Sequence, residues 1–133
     1  MKYKETFIYS VAGSAILLLV FVVYCYLLAA STGFQGRRGG PQDAFRHIYA
    51  SALVARYLSP SMVKLATTVL EGNNPSRYNQ MDRHNNNLGI QIGIAEGALY
   101  SETMIAVQKA QEISIANQAT AVVLSPKEWN SGF

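Results

Sequence analysis

The sequence predicts an all-α protein: a single N-terminal transmembrane helix followed by a small domain of about four helices. Three observations predict it. An uninterrupted apolar segment fills residues 7–30. Helix start and stop signals recur through the rest of the chain. Apolar residues there return at helical spacing, not in the alternation of a strand. The 133 residues leave room for one membrane segment and one compact domain of roughly 100 residues.

Residues 1–6 form a short tail carrying Lys2 and Lys4. Residues 7–30 read FIYSVAGSAILLLVFVVYCYLLAA, and no Asp, Glu, Lys or Arg occurs between Thr6 and Gly36. A helix of that length spans about 36 Å, enough to cross a hydrocarbon core of ~30 Å with some tilt. Tyr9 lies near one end and Tyr24 and Tyr26 near the other, as in the aromatic belts of membrane helices. A cleaved signal peptide is the rival reading, with Leu28-Ala29-Ala30 as its cleavage site. The apolar core exceeds the about 7–15 residues of a signal h-region, so a retained anchor is expected. Lys2 and Lys4 on one side balance Arg37 and Arg38 on the other. A short basic tail ahead of a first apolar helix favours a cytoplasmic N-terminus and a domain on the outer, periplasmic side.

Residues 31–40, STGFQGRRGG, read as a flexible glycine-rich linker. The helical domain is expected over residues 41–133. Its first helix, residues 41–58, opens on Pro41, suited to the first helical position. The second opens on Ser59-Pro60, a cap followed by proline, and ends at Gly72. Met62, Leu65, Ala66, Val69 and Leu70 form its apolar stripe and are expected to face the core. The third starts at Asn74-Pro75 and runs to Leu99; the fourth covers residues 101–116. The apolar run 119–124 is either a short strand or an extended strap. Ser125 and Glu128 have capping-box spacing and predict a last turn of helix.

Half the residues are hydrophobic and 14% are charged, against a usual ~25%. The membrane segment accounts for the deficit. The net charge of +3 is spread thinly, without a basic stripe interleaved with aromatics, so nucleic acid is not an expected partner. Arg37 and Arg38 suit lipid headgroups, and the bilayer is the expected partner. The one cysteine, Cys25, excludes an intramolecular disulfide and a cysteine-based metal site.

Gly89, Gly93 and Gly97 recur every four residues. Ala44, Ser51 and Ala55 give the first domain helix a similar side. Glycine costs about 1 kcal/mol in a helix interior, so a packing requirement is expected, with these two helices crossing in near backbone contact. Membrane re-entry at the stripe is the alternative; the charges and asparagines just before it argue against that.

Both histidines sit in polar clusters. Asp43, Arg46 and His47 share the first domain helix, with Asp43 and His47 on one face. Asp82, His84 and Asn86 belong to the third. If the glycine side packs on the first helix, Asp82 and Asn86 approach Asp43 and His47, and Glu71 could join them. The candidate catalytic set is therefore Asp43, Arg46, His47, Glu71, Asp82 and Asn86. Two chemistries are open. His47 could act as a general acid or base oriented by an aspartate, with Arg46 holding an anionic group. Alternatively His47, Glu71, Asp82 and His84 could ligate a divalent metal. No cofactor is specified by any motif. A purely structural network is the third reading: Asp43 serving a helix N-terminus, Arg46 paired with a carboxylate such as Asp82, and the asparagines bonded to backbone.

At these residues the chain resembles a bacterial family of helical domains of unknown function, found alone and in some secreted or toxin-like proteins. Its motifs are D-A-F-R-H-x-x-x-x-A-L, an H-E pair ending the next helix, and M-D-x-H-N-N-x-x-G-x-x-I-G. Asp43 to His47 with Ala52-Leu53 fits the first, and Met81 to Gly89 with Ile92-Gly93 fits the last. In the middle motif Glu71 matches, but Leu70 stands in place of the histidine. The resemblance implies a fold and a residue cluster, not a reaction; with the apolar helix, the expected location is the bacterial inner membrane.

Two functions follow as expectations. One is a binding or structural subunit of a larger bacterial envelope assembly of secretion or conjugation type, favoured by the loss of the family histidine at Leu70, the small size and the apolar tail with Trp129 and Phe133. The other is a membrane-anchored, hydrolase-like enzyme acting on a lipid, cell-wall precursor or phosphate ester through the Asp/Arg/His/Asn cluster. The second requires the cluster to line an open cleft.

Overall fold

The computed structural model describes residues 2–72, 76–112 and 120–129. Among them are five α-helices and no strand: α1 (Lys2–Ser31), α2 (Pro41–Tyr57), α3 (Pro60–Glu71), α4 (Arg77–Ile94) and α5 (Leu99–Glu112), with a 3₁₀ turn at Pro126–Glu128. The all-α class with one N-terminal helix long and apolar enough to cross a membrane stands as expected.

Helix α2 is the hub, packing against each of the other four helices. Phe45, Ile48 and Ala52 on it are fully buried among Leu88, Leu99, Val107 and Ala121. Truncating a side chain such as Phe45 would cost about 3–5 kcal/mol. The core also takes in the last turns of α1. Cys25 and Ala29 are buried, and Ala29 belongs to the main apolar cluster. Tyr24 meets Tyr49 with 3.4 Å between hydroxyls, and Tyr49 stacks on Phe45 at 5.6 Å. The first two thirds of α1 remain uncovered apolar surface.

The glycine-rich segment before α2 is pinned rather than loose. Gly33, Gly36 and Gly39 have positive φ, which turns the chain sharply. The carbonyls of Gln35 and Gly36 accept the backbone N–H groups of Gln42 and Asp43 at 2.9 and 3.2 Å. They satisfy first-turn donors that no side chain caps.

The expected crossing of α2 and α4 is present. A β-carbon on Gly89 would lie 2.7 Å from Ser51 Cβ and closer still to the Ile48 carbonyl oxygen. Ser51 and Ala55 face the two glycines as expected. Ala44 is buried, but Ile48 and Ala52 complete the contact. The stripe packs on protein, not lipid. Gly97 is not part of it, because α4 ends at Ile94 and not at Leu99. Arg56 on α2 explains the early stop: its guanidinium donates to the carbonyls of Gly93 (2.9 Å), Ile92 (3.3 Å) and Ala95. It thereby satisfies the acceptors that a continuing helix would have bonded. The next helix accordingly begins at Leu99. Its expected end, and the expected start of α4 at Asn74-Pro75, lie outside the described residues; Ser76 caps α4 through its hydroxyl.

Helix α3 has the expected bounds and caps, with Ser59 accepting from Met62 N–H, but its expected face is overturned. Met62, Leu65, Val69 and Leu70 are 47, 58, 71 and 83% exposed, and Ala66 is exposed too. Val63 is the residue that reaches the core. Helical periodicity locates an apolar stripe but not what covers it.

From Thr120 the apolar run is an extended strap, not a strand. Asn85 clamps it: Nδ2 donates to Val122 O and Val122 N–H donates to Oδ1, both at 2.8 Å. The predicted capping box forms on the 3₁₀ turn, and Trp129 Nε1–H donates to Leu124 O at 2.8 Å. The expectation placed on Phe133 lies outside the described residues.

Candidate functional site

Five of the six candidate residues come from two crossing helices. Asp43, Arg46 and His47 lie on successive turns of α2, and Asp82 and Asn86 on successive turns of α4. The close approach at Gly89 is what brings the two sets together. His47 is the centre. Its Nδ1 lies 3.2 Å from Asn86 Oδ1, and its Nε2 lies 3.3 Å from Asp82 Oδ1 and 3.6 Å from Asp43 Oδ1. Arg46 Nη2 is 3.2 Å from the same Nε2 and donates to Asp43 Oδ1. Arg46 thus pairs with Asp43, not with the Asp82 expected from sequence. The other Asp43 oxygen accepts Gly39 N–H at 2.7 Å, which joins the site to the glycine loop.

Asn86 fixes the imidazole. Its Oδ1 also accepts from the Ser51 hydroxyl at 2.9 Å, and its Nδ2 donates to Thr67 Oγ1 at 3.1 Å. With the amide oxygen facing the ring, Nδ1 carries the proton and Nε2 presents a lone pair. Burial pushes the His47 imidazole below its usual range; Arg46 adds to that push and Asp43 opposes it. The lone pair therefore points at two carboxylates, with a guanidinium beside all three. One ligand atom each from Asp43, His47 and Asp82 lies within 4.8 Å of the others. The set could hold a divalent cation where Arg46 now supplies the positive charge. Equally, Nε2 could take a proton from a bound water once Arg46 turns away to an anionic group.

His84 stands apart from the cluster. His84 Nε2–H donates to the Thr120 carbonyl at 2.8 Å and holds the strap. The ligand atoms that come together among the described residues are those of Asp43, His47 and Asp82, without His84. The Glu71 side chain lies outside the described residues.

Sequence reasoning missed Ser51 and Thr67, which orient Asn86, and Tyr26, whose ring lies 4.3 Å under the Arg46 guanidinium. Tyr26 reads in the sequence only as a membrane-belt aromatic; nothing in its spacing signals the cation above it.

The cluster opens into a cleft of about 370 Å³. Its floor is α2, with Arg46, His47 and Ser51. One wall is α1, with Leu18, Phe21 and Cys25, and the other is α3, with Ala66 and Leu70. A second recess of about 500 Å³ lies on the other side of Arg46 and is lined by Arg37, Arg38 and the end of α1. One site therefore has an apolar approach, a basic flank and an imidazole between carboxylates.

A family profile described as a domain of unknown function (DUF6973) matches residues 24–118, beginning inside α1 and taking in the whole cluster. Comparison with curated proteins and with solved structures gives no match.

Proposed function

The chain belongs to the DUF6973 family, a domain of unknown function, and we propose that it is a membrane-anchored hydrolase acting on a lipid-borne ester or phosphate ester. The observation that carries this reading is the open cleft: the polar cluster sits at its floor and apolar residues of α1 form its wall. A closed network with every group satisfied internally would have served packing alone. Retention of α1 as anchor fits the reading, since Cys25 and Ala29 would be lost from the core by cleavage after Ala30.

The chemistry follows from the neighbours of His47. An anionic substrate group draws Arg46 off Asp43 and away from Nε2. Nε2 then accepts a proton from the attacking water, and the nearby Asp43 and Asp82 carboxylates stabilise the imidazolium. The proton passes back to the leaving oxygen as the ester or phosphoester bond breaks. Full-length protein in vesicles of phosphatidylglycerol, or of an undecaprenyl-linked phosphate, should release a water-soluble or single-chain product. His47→Ala and Asp82→Asn should each lower the rate by at least about 10²-fold. Turnover at the wild-type rate by both variants would overturn the proposal.

A second reading has one observation in its favour, the uncovered apolar face of α3. Such a face suits a non-catalytic subunit of a bacterial envelope assembly. Gentle extraction that yields a stable lone monomer would count against it.

A further inference from the structure

The exposed apolar face of α3 and the membrane-crossing part of α1 occupy the same depth. Lys4 and Glu5 fix where an apolar span can begin. Counting from Thr6, the roughly 20 helical residues needed to cross a hydrocarbon core end near Cys25. The α1 wall of the cleft consists of Leu18, Phe21, Val22, Cys25 and Tyr26, so all but its last residue belong to that span. Val54, Ala66 and Leu70 line the same cleft from α2 and α3 and must lie beside it at comparable depth. Because Ala29 is in the core and α1 runs unbroken from Lys2 to Ser31, no hinge among these residues lets the domain lift away.

The faces of α3 agree with that placement. Val63 is buried and Thr67 accepts from Asn86, and both line the cleft together with Ala66 and Leu70. Met62, Leu65 and Val69 continue the apolar sector outward, while Ser61, Lys64 and Thr68 occupy the opposite, polar side. The sector is continuous with the uncovered apolar surface of α1 across the cleft mouth. Lys64 can reach the headgroups along its own stem. The Arg56 guanidinium, at the same end of α2, already has three α4 carbonyls as partners, as a polar group near hydrocarbon requires.

We propose that α3 is an interfacial helix lying in the same leaflet as α1, so that the cleft opens sideways into lipid and admits an acyl chain, with the headgroup at Arg46 and His47. This rests on the anchored, lipid-directed reading of the site. It makes the substrate class a membrane lipid entering from within the leaflet, and not a water-soluble ester entering from outside.

The test is depth-dependent quenching of a single tryptophan in the full-length chain. In a Trp129→Phe background, Leu65→Trp, Lys64→Trp and Val11→Trp are each reconstituted in vesicles with or without acyl-brominated phosphatidylcholine. Bromine should suppress emission from Leu65→Trp and Val11→Trp, while aqueous iodide should suppress only Lys64→Trp. Quenching of Leu65→Trp by iodide and not by bromine would place α3 in water and overturn the proposal. Shielding of Leu65→Trp from both quenchers would mean a protein covers the face, and would overturn it equally. Val11→Trp reports the anchor separately: if bromine fails there, the anchored reading itself fails, whatever α3 does.

Discussion

Gly93 approaches Ala52 so closely that a β-carbon on it would stand 2.5 Å from the Ala52 carbonyl oxygen. The three glycines of the stripe look equivalent in sequence, yet their surroundings separate them. Gly89 and Gly93 face α2 backbone, whereas a β-carbon on Gly97 would meet the flexible Glu102 side chain at 3.0 Å. Gly89→Ala and Gly93→Ala should each destabilise by about 1–3 kcal/mol through overpacking, even after the ~1 kcal/mol that alanine gains in helix propensity. Gly97→Ala should be near neutral. Thermal melts of the three variants check this, with losses of several degrees for the first two.

Asn85 is fully buried and its amide makes both backbone bonds of Val122. Asn85→Ala leaves a donor and an acceptor of the strap unbonded, at about 1–3 kcal/mol for each buried group. The expected result is early hydrogen exchange at Val122 with the protection of α2 retained. Unchanged protection at Val122 would show that His84 and Ala121, which hold the strap at Thr120 and Ala106, suffice without the clamp.

Helix starts were legible at Pro41 and at Ser59-Pro60 because capping chemistry is local: a hydroxyl and a proline act within one turn. The glycine stripe was legible for a different reason, since repeated glycine has few causes inside a helix other than close approach. What failed was decided at a distance. The end of α4 depends on Arg56, far away in sequence on α2, and the exposure of the α3 face depends on which elements pack against it, which no local pattern records. In the site, Asp43, His47, Asp82 and Asn86 were placed together by the crossing argument. His84 bonds the strap, a placement its spacing does not reveal, because histidine beside aspartate and asparagine looks the same whether the ring faces a cleft or a strap carbonyl. The roles of Ser51, Thr67 and Tyr26 arise only from tertiary neighbours, which no local spacing records.

His47 should make the protein acid-sensitive. Burial lowers its folded-state pKa below the ordinary value of 6.5, so the folded state resists protonation and the unfolded state does not. Stability from this group is fully present above pH 6.5 and is lost as pH falls from there toward the folded-state pKa. Asp43 and Arg46 face the ring from α2 and Asp82 faces it from α4. His47→Asn should flatten the decline in melting temperature between about pH 7 and pH 5. An undiminished decline in that variant would assign the acid sensitivity to another group.

Asp82→Asn separates architecture from function most directly. Asp43 and Asp82 both bring a carboxylate oxygen within 3.6 Å of the same imidazole nitrogen, and the guanidinium beside them is paired to Asp43. Two like charges this close to one nitrogen repel each other. Replacing Asp82 by asparagine removes that repulsion at nearly constant shape, so the melting temperature should hold or rise while lipid hydrolysis falls. Asn86→Ala should do the reverse, because it strips partners from Ser51, Thr67 and His47 together, at about 1–3 kcal/mol. Stability bought back by losing a charged group is the mark of a residue retained for activity. If Asp82→Asn instead melted several degrees lower, with hydrolysis lost in proportion to folding, the carboxylate would belong to the scaffold and His47 would have to work without it.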